Sequence, residues 1–272
     1  MKRIEKKFQE LHDKKKCAFV AYICAGDPDY KTSLALLKAM PSAGADIIEL
    51  GVPFLDPAGD GPIIETAAKR AISGGMSLKK TLAMAKEFRK TDQKTPLIFM
   101  TYYNPILKFG VADFFTEAAK SGVDGALIVD LPLEENDEIS AAVKKSSLDL
   151  IGLIAPTTNQ NRAKKIAEKS SGFLYLISML GITGTKSAKV WENKKNLRNL
   201  RQISNSKIVI GFGIQTPDQA EEFSKIGVDG VVVGSAIVKE IDKNFSGKKS
   251  SAEIVAATIE KLHEFSKKIK NK

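Results

Sequence analysis

Histidine and cysteine are scarce in this sequence of 272 residues, which holds two of each. His12 and His263 fall in predicted terminal helices without the neighbours of a metal site, so we expect no bound metal. Acid–base chemistry is therefore left to carboxylates, tyrosines or thiols. Cys17 and Cys24 lie on one predicted strand, and their odd separation points the two side chains to opposite faces. We expect no disulfide between them.

Long apolar segments are also missing. The sequence contains no apolar run of about 18 residues and no secretory signal, so we predict no membrane-spanning helix and a cytoplasmic location. The net charge of +10 favours anionic ligands in general. However, the lysines are scattered and form no basic stripe interleaved with aromatic residues, so we expect no nucleic-acid binding.

Short apolar runs alternate eight times with segments of helical period. The predicted strands are 17–24, 46–50, 96–101, 125–130, 149–154, 173–177, 208–211 and 230–234. The predicted helices between them include 30–43, 78–89, 112–120, 134–144, 161–169, 196–203 and 217–226. Alternation of this kind is typical of a parallel sheet with crossover helices. An amphipathic N-terminal segment with Ile4, Phe8 and Leu11 predicts a further packed helix.

One turn occurs three times, at 42–46, 120–124 and 225–229. In each copy a helix ends, a glycine suited to the left-handed conformation follows, and an aspartate leads into the next strand. No linker interrupts the chain. We therefore predict a single domain over residues 1–272, a (β/α)8 TIM barrel with an additional N-terminal helix; a doubly wound open sheet is the alternative.

Two carboxylates flank a loop rich in glycine and proline. Glu49 ends the second predicted strand, and Asp60 lies in the loop that follows, which we expect to extend from 51 to about 77. A second long loop is expected from 178 to about 191. The C-terminal ends of barrel strands carry the chemistry, so Glu49 and Asp60 are candidate acid–base groups. In the alternative interpretation both residues are structural: Glu49 forms a salt bridge at the end of its strand, and Asp60 stabilises a turn.

Glycine-bearing clusters follow the last three strands, at 181–184, 211–214 and 234–236. Glycines let backbone N–H groups approach an anion, and a short helix beginning at Ser235 would add its positive end. Three such clusters in successive loops predict the phosphate site typical of this barrel. The sequence has neither a Walker motif nor Gly-x-Gly-x-x-Gly, so nucleotide binding is not favoured.

Apolar and aromatic residues lie near the strand ends between the acids and the predicted phosphate site. They are Tyr22, Met100, Leu127, Tyr175 and Phe212. If the alternating faces of the strands point inward, these side chains form a flat apolar slot at the barrel mouth. Ordinary layering of the barrel core is the alternative explanation for the deeper ones.

The segment 49–62, Glu-Leu-Gly-Val-Pro-Phe-Leu-Asp-Pro-Ala-Gly-Asp-Gly-Pro, resembles the signature of the tryptophan synthase α subunit family. The similarity extends to 25–28, 102–105, 130–135, 181–184, 211–214 and 234–238, and so spans the chain. It implies cleavage of indole-3-glycerol phosphate to indole and glyceraldehyde 3-phosphate without a cofactor in this chain. It also implies a pyridoxal-phosphate β subunit as partner in an α2β2 assembly, which receives the indole.

The resemblance further implies roles for single residues. Glu49 would transfer protons at indole C3 and the neighbouring hydroxyl, and Asp60 would accept the indole N–H. Thr183 would meet Asp60 on loop closure. The implied phosphate ligands are Gly184, Gly213, Gly234 and Ser235. The chain departs from the family at Leu55, at 58–59 and at Ile182, and we expect Gly59 to loosen the loop before Asp60.

Three other functions compete with this assignment. One is another phosphate-binding barrel, such as an isomerase, an epimerase or indole-glycerol phosphate synthase. The synthase needs a lysine at a strand end, where this sequence has Glu49, Thr101, Asp130 and Ser178. A second is a non-catalytic activator of a β partner. The third, a nucleic-acid binder, rests on the net charge alone.

Overall fold

The computed structural model describes residues 1–178 and 190–270. Its strands are β1 (Ala18–Cys24), β2 (Ile47–Gly51), β3 (Leu97–Thr101), β4 (Gly125–Ile128), β5 (Asp149–Leu150), β6 (Gly152–Ile154), β7 (Leu174–Ile177), β8 (Ile208–Gly211) and β9 (Gly230–Val233). All of the strand pairings in this part of the chain are parallel, and the sheet has the order β5-β4-β3-β2-β1-β9-β8-β7-β6.

The helices pack against the sheet, and all except the first lie after a strand in the chain. They are α1 (Arg3–Asp13), α2 (Tyr30–Ala39), α3 (Pro62–Ser73), α4 (Leu78–Arg89), α5 (Tyr103–Phe109), α6 (Val111–Lys120), α7 (Asp137–Lys145), α8 (Gln160–Lys169), α9 (Val190–Ile203), α10 (Pro217–Ser224), α11 (Ser235–Ser246) and α12 (Ser251–Lys270), with a 3₁₀ turn at Leu133–Glu135. None of the helices in the described ranges has the length and apolar character of a transmembrane span.

The fifth predicted strand, 149–154, is interrupted at Ile151. Its first part, β5, pairs with β4, and its second part, β6, pairs with β7. The two ends of the sheet are therefore consecutive in the chain, and the sheet forms a nearly closed barrel. The predicted TIM barrel is confirmed, and the doubly wound open sheet is wrong.

The barrel interior contains one face of each long strand, as strand alternation predicts. A buried cluster combines Ile47, Leu127, Phe173 and Tyr175 with their neighbours on the inward face. The predicted N-terminal helix, α1, contributes Ile4, Phe8 and Leu11 to the same cluster and so closes one end of the barrel. The other end carries the loops that follow the strands.

The three repeated turns have the expected backbone. Gly44, Gly122 and Gly227 have φ angles of 98°, 81° and 98°, which only glycine adopts without strain. The aspartate of each copy accepts a hydrogen bond from a backbone N–H of the adjacent strand. The pairs are Asp46 with Phe19 at 2.9 Å, Asp124 with Leu97 at 2.8 Å and Asp229 with Ile208 at 2.8 Å. These turns therefore align neighbouring strands as well as ending helices.

Several predicted boundaries differ from the structure, and two of them differ most. The loop expected at 51–77 contains α3, so only residues 52–61 connect β2 to a helix. Pro62 occupies the first helical position, where proline is favoured because its missing N–H has no partner to lose. The helix predicted at 196–203 begins earlier, at Val190. Most of the second predicted loop lies outside the described residues.

Candidate active site

Glu49 lies on β2, level with Tyr22 on β1 and Ile98 on β3. Its side chain is buried, and its Oε1 has no hydrogen-bond partner among the described residues. Burial, with a smaller contribution from Asp60, raises the pKa of Glu49 to about 8. A carboxyl group with this pKa is protonated at neutral pH and can donate its proton. Among the residues that the structure describes, no cation pairs with Glu49, which counts against the alternative of a salt-bridged strand end.

Asp60 lies in the loop immediately before α3. Its Oδ1 is buried without a hydrogen-bond partner among the described residues, whereas Tyr102 hydrogen-bonds to its carboxylate. Burial raises the pKa of Asp60 to about 6, although the bond from Tyr102 opposes that rise. Asp60 is therefore largely ionised at neutral pH while Glu49 is not. Two carboxyl groups with such different pKa values can act as acid and base in one reaction.

Glu49 and Asp60 face a common cavity at the barrel mouth. Its lining is Tyr22, Glu49, Asp60, Ile64, Met100, Tyr175, Phe212, Gly213, Ile214, Val232, Gly234 and Ser235. The structure therefore brings together the predicted acids, most of the apolar slot and the described part of the predicted phosphate site. Leu127 lines the adjoining cavity, which shares Met100, Tyr175 and Phe212 with this one. Thr183 and Gly184 lie outside the described residues.

Tyrosine rings form two walls of the cavity, and glycines make room for them. A Cβ atom at Gly51 would lie 2.3 Å from the Tyr22 hydroxyl, and one at Gly211 would lie 2.2 Å from the Tyr175 hydroxyl. Burial raises the pKa of both tyrosines well above the ordinary value. Both hydroxyls therefore stay protonated and cannot act as general bases. The Tyr175 ring also meets Phe212 edge to face, with centroids 6.0 Å apart.

The predicted phosphate end of the cavity combines a left-handed turn with a helix N-terminus. Phe212 and Gly213 both have a φ of 76°, an unusual conformation for a side chain as large as phenylalanine. The Ser178 hydroxyl donates to the carbonyl oxygen of Phe212 and helps to hold this turn. Ser235 opens α11, whose free N–H groups favour an anion. The helix predicted here as short has 12 residues.

Four residues of the site were not predicted: Ile64, Tyr102, Ile214 and Val232. Ile64 belongs to the unpredicted helix α3, and Val232 lies on the inward face of β9. Tyr102 follows β3 directly and begins the motif at 102–105, a position that could have revealed it. The expected loosening by Gly59 remains untested. Its N–H donates to the Tyr102 hydroxyl at 3.1 Å, and an added Cβ would lie 3.0 Å from Val129.

A family model described as tryptophan synthase alpha chain matches residues 8–268. The chain belongs to this family. It is 44% identical over 262 residues to the tryptophan synthase alpha chain of Gluconobacter oxydans, covering 96% of this chain and 97% of the relative.

Solved structures of the family agree with the fold. Tryptophan synthase subunit alpha from Legionella pneumophila superposes with a TM-score of 0.91 at 35% identity, covering 99% of this chain and 98% of that one. A structure of the tryptophan synthase a2b2 complex from Pyrococcus furiosus gives 0.81 at 36% identity, with 92% and 98% covered. As members of the tryptophan synthase alpha chain family are lyases, the expected activity is confirmed: the α reaction, cleavage of indole-3-glycerol phosphate. The assignments to an isomerase, an epimerase or indole-glycerol phosphate synthase are wrong.

Proposed function

We propose that Glu49 carries out the proton transfers of the α reaction and that Asp60 stabilises the positive charge that develops on the indole ring. The observation that carries this proposal is that each acid has a buried carboxyl oxygen without a partner among the described residues, and that both face one cavity. Buried polar oxygens are nearly always hydrogen-bonded in folded proteins. Two exceptions in one cavity fit groups that meet their partners only when the substrate is bound.

The chemistry follows from the protonation states. Protonated Glu49 donates to indole C3, which converts the ring into a cation. Ionised Asp60 accepts a hydrogen bond from the indole N–H and stabilises the positive charge on the ring. The Glu49 carboxylate then takes the proton of the hydroxyl next to C3. The C–C bond breaks, its electron pair restores the indole ring, and the hydroxyl carbon becomes the aldehyde of glyceraldehyde 3-phosphate.

The other site residues hold the two ends of the substrate. Gly213, Gly234 and Ser235 bind the phosphate through backbone N–H groups and the start of α11. Tyr22, Met100, Leu127, Tyr175 and Phe212 enclose the indole ring. Gly184 as a further phosphate ligand and Thr183 as a partner of Asp60 rest on family resemblance alone.

We also infer a β-subunit partner that holds pyridoxal phosphate and receives the indole, within an α2β2 complex in the cytoplasm. The relative from Pyrococcus furiosus is described as an a2b2 complex. Exposed leucines support an interface at the barrel mouth: Leu55, in the loop before Asp60, is 59% exposed, and Leu107, on α5, is 58% exposed. Contiguous apolar patches mark contacts with a partner, and we infer that these two leucines belong to one such patch at the contact with β.

Indole release from indole-3-glycerol phosphate, with and without a β subunit, tests the proposal. We expect Glu49→Gln, which keeps the shape of the side chain but cannot exchange the proton, to lower turnover about 10²-fold or more. Leu107→Ala is the matched control: it should leave turnover of the free chain unchanged and weaken activation by β. Wild-type protein that stimulates β but releases no indole would instead identify a non-catalytic activator.

A further inference from the structure

The barrel wall has an open seam between β4 and β6. Toward the N-terminal ends of the strands, below the seam, the N–H of Ile151 donates to the carbonyl oxygen of Ala126 at 2.9 Å and closes the barrel wall. Above it, β6 pairs with β7, and Val129, just past the end of β4, donates its N–H to Thr101 on the opposite side. The strand order ends at β5 and β6, so the upper part of this wall has no ladder.

Helix α8 packs closely against Gly152, next to the seam. A Cβ atom at Gly152 would lie 2.0 Å from the Ser170 hydroxyl and 2.9 Å from the Ile166 side chain. The missing side chain therefore lets the end of α8 approach the backbone of β6.

A cavity of about 400 Å³ passes through this seam. On the inner side it is lined by Leu127, Leu153 and Tyr175, and on the outer side by Leu131, Leu133, Asn136 and Ile166. We call the outer part, defined by these last four residues, the side chamber. Its lining is predominantly apolar. A dry apolar cavity of about 150 Å³ holds a benzene molecule, so this cavity exceeds what a bicyclic indole needs.

The order of groups along the site determines which end of the substrate faces the side chamber. Gly213, Gly234 and Ser235 line only the cavity that contains the acids, whereas Leu127 and Leu153 line only the larger one. With the phosphate near Ser235 and C3 beside Glu49, the indole ring passes Met100 and extends toward the seam. The far edge of the benzo ring, at carbons 5 and 6, then faces the side chamber.

We propose that the side chamber is a specificity subsite, through which the enzyme accepts indole-3-glycerol phosphates substituted at carbon 5 or 6 of the ring. This proposal rests on the proposed function of the acid pair. The reaction is unchanged, and only the occupant of the chamber is new: a small apolar substituent such as methyl or chlorine. Burial of one methyl group corresponds to about fourfold in affinity.

The test compares kcat/KM for the parent substrate and for its 6-methyl derivative. We expect the two values to agree within about fourfold in the wild type. A slot closed at this edge would instead reject the methyl group by roughly 10- to 200-fold. Leu133→Trp should fill the chamber and lower kcat/KM for the 6-methyl substrate about tenfold or more, with the parent little affected. Lys120→Trp, which adds the same ring at an exposed helix end outside the site, is the matched control.

Two outcomes overturn the subsite: rejection of the 6-methyl substrate by the wild type, or an unchanged preference in a folded Leu133→Trp variant. If the variant does not fold, the test is the inhibition of the wild type by 6-methylindole compared with that by indole. An open chamber predicts that 6-methylindole binds at least as tightly as indole. Failure to cleave the parent substrate would contradict the proposed function. The comparison of the two indoles as ligands would still test the chamber in that case.

Discussion

Tyr102 hydrogen-bonds to Asp60 and accepts the N–H of Gly59 at 3.1 Å, so one hydroxyl holds two successive residues of the loop. The Phe54 ring packs against the Tyr102 ring with centroids 5.4 Å apart. Tyr102 is therefore a positioning residue for the second acid. Because its hydroxyl bonds to the carboxylate, it also counteracts the rise in the pKa of Asp60 that burial causes.

Replacement of Tyr102 by phenylalanine should shift the acidic limb of the pH–rate profile. Wild-type kcat/KM should fall below about pH 6 as Asp60 is protonated, and above about pH 8 as Glu49 loses its proton. Loss of the Tyr102 bond raises the pKa of Asp60 further, so less of it is ionised at neutral pH. We expect the acidic limb to move to higher pH, with a loss of about 5- to 20-fold at pH 7.

Tyr103→Phe provides the control for this prediction. The Tyr103 hydroxyl donates to Glu138 at 2.5 Å on the protein surface and does not contact the acid pair. Its removal should leave both limbs of the profile in place. Coincident acidic limbs in wild type and Tyr102→Phe would show that Tyr102 does not influence the ionisation of Asp60.

The buried carboxyl group of Glu49 should make folding less favourable as the pH rises. In the unfolded chain this group ionises near its ordinary pKa of 4.5, whereas in the folded protein its pKa is about 8. The folded state therefore binds more protons between these values, and stability falls from acid to mildly alkaline pH. Each pKa unit corresponds to about 1.4 kcal/mol, so the total effect is a few kcal/mol.

Glu49→Gln removes this titration. We expect its Tm to exceed that of the wild type by roughly 5 °C or more at about pH 8.5, and the gain to shrink toward about pH 5. Thermal unfolding of both proteins across this range is the measurement. A difference in Tm that does not vary with pH would mean that Glu49 ionises in the folded protein as it does in the unfolded chain.

The barrel could be predicted because its local signals agree with its tertiary structure. The αβ turns at Gly44, Gly122 and Gly227 need a left-handed residue, and the aspartates that follow need a neighbouring strand. Glu49 could be placed for a similar reason, since strand alternation and the loop after it put the residue at the barrel mouth.

Other features depend on contacts that a sequence does not display. The break at Ile151 lies next to Gly152, against which Ser170 and Ile166 pack closely. The Tyr102 hydroxyl bonds to Gly59, which lies 43 residues earlier in the sequence. Helix α3 was missed because glycine and proline at its start mark a loop equally well, and only the fold shows which applies.

Arg70 ties together three elements that each lead to the active site. Its guanidinium binds both carboxylate oxygens of Asp27, in the loop after β1, at 2.8 and 3.3 Å. It also donates to Asp242 on α11 and lies over the Phe245 ring, 5.3 Å from the centroid. Arg70 itself is on α3, which begins after Asp60, and α11 begins at Ser235. The same side chain thus links the helix next to the acid with the helix at the phosphate end.

Arg70→Met should destabilise the protein strongly, because it leaves Asp27 buried without its cation. Removal of one partner from a buried ion pair typically costs about 3–5 kcal/mol. Burial already raises the pKa of Asp27, and Arg70 opposes that rise, so the destabilisation should be larger at alkaline pH than near pH 5. Urea unfolding at the two pH values measures this loss of stability.

Asp27→Asn added to Arg70→Met should recover part of the loss, whereas additive losses would show that the two side chains do not stabilise the fold as a pair.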